Sequence, residues 1–481
     1  MSKVCAGIQV DEHSDFPSGT NLLISSKLQH LLQLPRSPLT IHLGQRKSSS
    51  RVQTFTSQSF LIRIRKDLAE QLCIPNGIQL NIQYEPKSRR IYLGPVFGVL
   101  ITSLIRTPEG IFGSASLFCK ELVQEAKSKG ILAYIFTLND VDQQNQTVNG
   151  WTWMNGKWVQ RRLPSPDSIY NRLASRKSEN KPENQAIIES FKKKGIHYFN
   201  EHFLNKWQVH EALSKNPQVS AYLPGTTLFK GFSTIKEAVS RYPQVYLKPA
   251  NGSLGKGIYR ISRTGKGFTC QYSTMAGTVQ KTYSSLAKLH ASIGPRISKF
   301  PYLVQQGLRL IRINGNPLDF RSLAQKDRTG KWIVTSIVGR IGQSQSIVSN
   351  LARGGTIMSV GEALAAAGPW SGTRPTRNQL SQTSRLLAEG LEAELEGHFG
   401  ELGIDLAVDT SGRIWLLEIN AKPSKNDDQV LSEQTKTRPS VKKLLDYSLF
   451  LKNMTKSTSN ANKASLIALR RKRNQKKRRK R

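Results

Sequence analysis

Residues 403-GIDLAVDTSGRIWLLEINAKPS-424 form two apolar-alternating runs about a Thr410-Ser411-Gly412 turn, the pattern of a β-hairpin. In the first run Ile404, Leu406 and Val408 share one face, and Asp405 and Asp409 share the other. In the second, Glu418 and Asn420 are two apart and lie on one face. If residues 410–413 form a four-residue loop, 409 pairs with 414 and Asp405 stands opposite Glu418. Asp405, Glu418 and Asn420 then converge, and three oxygen donors suit a hard cation such as Mg²⁺. The competing reading is the solvated outer face of a hairpin. Against it stand the scarcity of acids in this chain and an asparagine in mid-strand, where its β-propensity is low.

Working outward, the 481 residues suffice for two to four domains, and an apolar content of 38% permits real cores. The charge is +38, from 71 basic and 33 acidic residues. Arg470 to Arg481, RRKRNQKKRRKR, carries no acid and reads as a solvated like-charge tail. The remaining body is basic as well, which favours polyanions: nucleic acid, phosphorylated ligands, an anionic polymer or an acidic protein layer. Four scattered cysteines form no C-x-x-C, and the histidines form no H-x-x-x-H pair with a neighbouring acid, so zinc and disulfide frameworks are not expected. The N-terminus has no apolar signal core, and no run approaches the roughly 20 apolar residues of a spanning helix, so a soluble protein is expected.

Residues 1–94 read as a β-rich module, with alternating runs at Phe60–Arg65, Ile78–Tyr84 and Arg90–Leu93. From 95 to 182 a small α/β domain is expected. Val96–Thr102 and Ile131–Phe136 are buried-strand runs around a helix from Ser114 to Lys129, with Ser114 or Ser116 as cap and Gly130 as stop. Trp151–Gln160 is a hairpin turning at Asn155-Gly156, whose tryptophans suit a core pair better than base stacking. Residues 183–453 form the remaining large domain, and 454–481 a disordered basic tail.

Within the large domain, Gln244–Pro249 is a strand with Lys248 at its end, and 252-GSLGKG-257 follows before a second strand. Glycines let backbone N–H groups approach phosphate oxygens, and a strand-end lysine beside such a loop suits a phosphate. The loop fits neither the Walker A pattern nor a Rossmann turn, and by itself is also an ordinary hairpin turn. Downstream come Tyr302–Gln306, an apolar strand ending in two amides, then Asp319-Phe320-Arg321, 349-SNLARGG-355 and the opening hairpin. His210, on the helix with Lys206, reads as a surface or packing histidine rather than a base.

This order of pieces resembles the ATP-grasp superfamily of carboxylate ligases over roughly residues 200–425. With its β-rich start, PDSIYNR, LKPANGSLGKGI and SNLARGGT, the chain looks most like the YheC/YheD endospore coat-associated group of spore-forming Firmicutes. The resemblance implies an α/β (α+β) architecture: an ATP-grasp fold preceded by the β-rich module and a small α/β pre-ATP-grasp domain. It implies ATP and Mg²⁺, two ions, as cofactors. By the same resemblance, Lys206, Lys248, Gly252, Ser253, Leu254, Gly255, Lys256, Gly257, Gln305, Gln306, Leu308, Asp319 and Arg321 hold the nucleotide. Arg340, Asn350 and Arg353 lie near the transferred phosphate or acyl intermediate, and Asp405, Glu418 and Asn420 bind metal; Asp409 falls outside the set. Two glutamines stand at 305 and 306, where many family members have glutamates.

The implied activity joins an unidentified carboxylate to an unidentified amine through an acyl phosphate, in the mother-cell or forespore cytoplasm or at the spore coat. Two other readings stay open: a structural coat or coat-assembly protein with this fold and no turnover, and a polyanion- or nucleic-acid-binding protein. An acidic polymer or spore-coat protein is the partner expected for the tail.

Overall fold

The computed structural model describes residues 3–35, 38–108, 110–252, 255–274, 277–342, 355–425 and 437–457. The architecture is mixed α/β, in two compact units. One comprises Met1–Glu201, Lys326–Lys331 and Thr435–Arg481; the other comprises His202–Gln325 and Trp332–Gln434.

The first unit begins with β1 (Lys3–Asp11), β2 (Leu22–Ser25), β3 (Leu39–Leu43), β4 (Arg46–Ser50), β5 (Val52–Phe55), β6 (Leu61–Arg65), β7 (Ile78–Glu85) and β8 (Arg90–Leu93). Helices α1 (Ser26–Leu32) and α2 (Lys66–Leu72) interrupt them. The sheet order is β4-β3-β8-β7-β1-β6-β2-β5. Its two ends, β4 and β5, are consecutive in the chain with only Arg51 between them, so the two edges of the sheet approach each other at that residue.

The module is internally duplicated at an offset of about 40 residues. Strand β2, helix α1 and a left-handed Gln33 are repeated as β6, α2 and a left-handed Cys73. Leu28 and Leu32 are buried in one helix, Leu68 and Leu72 in the other. Parallel pairing of β1 with β6 is matched by β2 with β5, about an antiparallel β2–β6 centre.

A seven-stranded sheet follows. It contains β9 (Val96–Ile101), β10 (Leu132–Phe136), β11 (Val141–Asp142), β12 (Thr147–Met154), β13 (Lys157–Pro164), β14 (Ser168–Arg172) and β15 (His197–Phe199). Helices α3 (Ser116–Ser128), α4 (Arg176–Glu179) and α5 (Pro182–Lys193) accompany it. Strands β9 and β10 pair in parallel and are wholly buried, which is why both are continuous apolar runs.

Neither serine expected to cap α3 does so. The N-cap is Ala115, and Ser116 Oγ accepts instead from Phe112 N at 3.0 Å. Gly130 does end the helix, at φ +64°, with Ile131 N donating to Ala126 O at 2.9 Å. Asn155 and Gly156 both take positive φ in the hairpin turn, and Trp153 packs edge-on against Trp158 at 5.3 Å. The C-terminal helix Pro439–Ser457 sends Val441, Leu444, Leu445, Tyr447 and Leu451 into the same core as Phe97, Leu122 and Phe199.

The second unit opens with α6 (Lys206–Ser214), β16 (Thr226–Leu228), α7 (Phe232–Arg241), β17 (Gln244–Pro249) and β18 (Tyr259–Thr264). There follow β19 (Gly267–Thr274), β20 (Gly277–Tyr283), α8 (Leu286–Ile297) and β21 (Tyr302–Gln306). One sheet runs β16-β21-β17-β18-β19-β20. Val245, Leu247, Ile261 and Val304 form its core with Ile235 and Val239 of α7 and Leu289 and Ile293 of α8. Alternation along β17 and β21 therefore sends Tyr246, Lys248 and Gln305 to the other face.

A second sheet contains β22 (Arg312–Ile313), β23 (Asn316–Lys326), β24 (Trp332–Ile341), β25 (Thr356–Met358), β26 (Glu401–Val408) and β27 (Ile414–Asn420). With them come α9 (Val360–Ala366) and α10 (Arg377–Glu394). Its main path is β25-β24-β23-β26-β27.

Candidate functional site

The β26–β27 hairpin has the expected opposition of Asp405 and Glu418, reached by a different route. Val408 pairs with Ile414, so the turn is one residue longer than the four-residue loop allows. A β-bulge between Asp405 and Leu406 restores the register, setting Asp405 against Glu418 and Gly403 against Asn420. Asp409 serves the turn. Its carboxylate accepts from Ser411 N at 2.9 Å, Arg413 N at 3.0 Å and Trp415 Nε1 at 2.8 Å.

Asp405 is not on a solvated face; all of β26 is buried. It lies in line with Arg321 of β23, whose guanidinium engages both its oxygens. Arg340 of β24 reaches Asp405 Oδ1 at 3.0 Å and binds Asp319 through two bonds, Nε to Oδ1 at 2.6 Å and Nη2 to Oδ2 at 2.7 Å. Burial by itself would raise the Asp405 carboxyl, but Arg321 and Arg340 outweigh it and hold it below the ordinary carboxylate range. Asp319, Arg340 and Asp405, all buried, thus meet the half-buried Arg321 in one ion-paired set.

Lys206 is the first residue of α6 rather than an interior helix position. Asn205 caps the helix, accepting from Trp207 N at 2.8 Å. A cation at a helix start is unfavourable to the helix dipole, and Glu418 compensates: Lys206 Nζ donates to Glu418 Oε1 at 2.9 Å and to Gly252 O at 2.5 Å. One lysine therefore ties the glycine loop to the hairpin floor.

Lys248 donates to Gln305 Oε1 at 2.6 Å, and Gln305 Nε2 continues to Thr226 Oγ1 at 3.0 Å. Burial, together with the Lys206 charge and against the attraction of Glu418, lowers Lys248 to about 8. Gly255 and Gly257 take φ of +68° and +72°, and Tyr302 donates to Gly257 O at 2.9 Å, fixing the far end of the loop. Lys256 lies between them, exposed.

Several expected residues are placed differently. Gln306 faces away from Lys248 and accepts from Gly225 N at 3.1 Å. Leu308 lies just beyond β21 in a connecting segment. Asp319 and Arg321 are engaged by Arg340 and Asp405 rather than presented as free nucleotide ligands. Ser253, Leu254, Asn350 and Arg353 lie outside the described residues, as does Arg470 to Arg481. His210 tilts against Trp207 at 5.7 Å, and burial lowers its pKa, as befits a packing histidine.

One pair has no local signature in the sequence. Lys425 Nζ donates to both Glu401 oxygens at 2.6 Å, with side-chain exposures of 2% and 0%. Gln325 Nε2 adds a bond to Glu401 Oε2 at 2.7 Å, and Thr335 Oγ1 holds Gln325 Oε1 at 2.7 Å. This clasp pins the chain five residues past Asn420 to the start of β26.

Among the described residues no group of three or more His, Cys, Asp or Glu side chains is placed to hold a metal. Two carboxylates and an amide are what the hairpin offers. Glu418 and Asn420 fit a hard cation as neighbouring oxygen donors on one strand face. Asp405 can add a third oxygen through Oδ2, which takes one guanidinium contact where Oδ1 takes two, while sharing its charge with both arginines.

A family model described as YheC/D like ATP-grasp matches residues 195–451. The chain is 30% identical over 370 residues to the endospore coat-associated protein YheD of Bacillus subtilis (strain 168), covering 76% of this chain and 80% of that protein. It is 24% identical over 327 residues to YheC of the same organism, also described as endospore coat-associated, covering 66% of this chain and 88% of that one. Among solved structures, D-alanyl-alanine synthetase A from Vibrio cholerae O1 biovar eltor str. N16961 aligns at 11% identity and a TM-score of 0.44, covering 74% of this chain and 99% of that one.

Proposed function

Because the chain belongs to the YheC/D-like ATP-grasp family, we propose that it is an ATP- and Mg²⁺-dependent carboxylate–amine ligase acting through an acyl phosphate, in association with the endospore coat. The observation that carries this reading is the meeting of Lys206, the glycine loop and Glu418, with Lys248 directed to the same region. A purely structural role requires none of these groups.

Joining a carboxylate to an amine needs the carboxylate activated. A carboxylate oxygen attacks the γ-phosphorus, the bond from that phosphorus to the β,γ-bridging oxygen breaks, and ADP departs. The amine nitrogen then attacks the acyl carbon, inorganic phosphate leaves, and the new amide nitrogen loses its proton to solvent. The first step brings anions together, so the chain's part is chiefly electrostatic.

Lys248 and Lys206 neutralise phosphate charge, and the glycine loop supplies backbone N–H groups and excludes water from the acyl phosphate. Glu418 and Asn420, with Asp405, would hold Mg²⁺, which when bound shields the phosphate oxygens from one another. Arg340 contributes charge next to that position, and Asn350 and Arg353 are proposed to meet the transferred phosphate. No covalent protein nucleophile is required.

Calorimetric titration of the full chain with ATP and MgCl₂ tests the reading. Glu418→Ala and Lys248→Ala are each expected to weaken ATP binding more than tenfold; unchanged binding in both overturns the site. Bound ATP that releases no ADP with any tested acid and amine favours a coat protein without turnover. The coat association follows the description of the two relatives, and its basic tail would meet an acidic polymer or coat protein there. No helix among the described residues is long and apolar enough to cross a membrane.

A further inference from the structure

We propose that Asp319 is a positioning residue: it retains Arg340 when a divalent cation takes Asp405, and so sets how readily that cation binds. The proposal rests on the nucleotide and cation reading above. Its warrant is the partition of charge in the buried set. Arg340 is buried and gives two of its contacts to Asp319 and one to Asp405. Asp405 is also engaged on both oxygens by Arg321.

A cation entering beside Glu418 draws on the Asp405 charge that Arg321 and Arg340 already share. The buried Arg340 guanidinium then faces a positive neighbour, and a buried cation deprived of counter-charge is costly. Asp319 is 4% exposed and fixes both Nε and Nη2, so it supplies that counter-charge without changing its own geometry. Removing its charge shifts the demand of Arg340 onto Asp405, where it competes with the cation. Asp319 thereby acts through Arg340 and does not itself touch the nucleotide.

The test is the Mg²⁺ midpoint for ATP binding by the full-length protein, with ATP held constant, in wild type, Asp319→Asn, Arg340→Gln and the double variant Asp319→Asn/Arg340→Gln. Asp319→Asn alone is expected to raise the midpoint at least tenfold. Added to Arg340→Gln, it is expected to move the midpoint less than threefold, because Asp319 acts through Arg340. A general loss of structural integrity would not vanish in that background.

An Asp319→Asn midpoint within twofold of wild type, or a further rise of tenfold or more when Asp319→Asn is added to Arg340→Gln, overturns the proposal. Should Asp319→Asn fail to fold, the Arg340→Gln background decides: a shift within threefold on adding Asp319→Asn supports the role, and a rise beyond tenfold refutes it. Wild-type protein lacking Mg²⁺-dependent ATP binding overturns the functional reading together with this one. Wild-type binding with an unmoved variant overturns this one alone.

Discussion

Replacing Lys425 by methionine removes the cation that donates to both oxygens of Glu401, a carboxylate that is 0% exposed. Gln325 remains as a donor to it, but a neutral amide does not balance a buried charge. Losing one partner of such a pair typically costs about 3–5 kcal/mol. The Lys206–Glu418 pair, at 14% and 28% exposure, belongs with partly solvated pairs, where water and salt screen the attraction. At an m value of about 3 kcal/mol/M, the Lys425→Met loss lowers the urea midpoint by on the order of 1–1.7 M.

The assay is urea-dependent hydrogen exchange read on β26 and β27 peptides, which reports this unit without assuming that the whole chain melts in one step. The double variant Glu401→Gln/Lys425→Met removes both charges and is expected to recover most of the loss, giving a strongly non-additive cycle. A midpoint shift below about 0.3 M in the single variant, or simple addition in the double, would refute the view that this clasp is a buried, mutually dependent pair.

The depressed lysine makes nucleotide binding pH-dependent. Lys248 is lowered to about 8 in the free protein, and phosphate favours its charged form, so binding takes up a proton above that pH. ATP affinity is therefore expected to fall as pH rises through about 8, by up to about tenfold per unit, and Lys248→Met is expected to flatten the profile. Calorimetry in buffers of different ionisation heat measures the proton uptake directly. Two C-terminal truncations should behave oppositely. Ending the chain after Ala464 removes the basic tail and should lower salt-sensitive binding to polyanions such as heparin, leaving ATP binding intact. Ending it after Thr437 uncovers the core around Phe97, Leu122 and Phe199 and should yield an aggregation-prone protein with increased dye binding.

Strand positions were legible where burial imposes a pattern. Gln244–Pro249 and Tyr302–Gln306 are found as read, because alternation on a half-covered sheet is a local property. The same alternation separates Gln305, which meets Lys248, from Gln306, which does not. The opposition of Asp405 and Glu418 was legible although the loop count was one short, since the bulge absorbs the extra residue.

What the sequence hid was non-local. Glu401 and Lys425 match no spacing rule, and nothing nearby signals that either is buried. Asp319, Arg321 and Arg340 appear as separate polar positions until β23, β24 and β26 stand side by side. The duplication in the first module did carry a signal, in Leu28-x-x-x-Leu32-Gln33-Leu34-Pro35 against Leu68-x-x-x-Leu72-Cys73-Ile74-Pro75. Its weak identity conceals it from motif reading, while helix length and the left-handed cap expose it.

The helix Pro439–Ser457 bears on how the chain is made. Its apolar side chains complete a core whose other walls, through Phe199, leave the ribosome much earlier. The roughly 240 residues between Phe199 and Pro439 take on the order of 10–50 s to synthesise at the usual rate of about 5–20 residues per second. For that interval Phe97, Leu122 and Phe199 lack the helix that covers them. The first unit to emerge is thus held back from final closure until residues 439–457 appear, and a ribosome stalled short of residue 439 carries an open apolar face for chaperones to recognise.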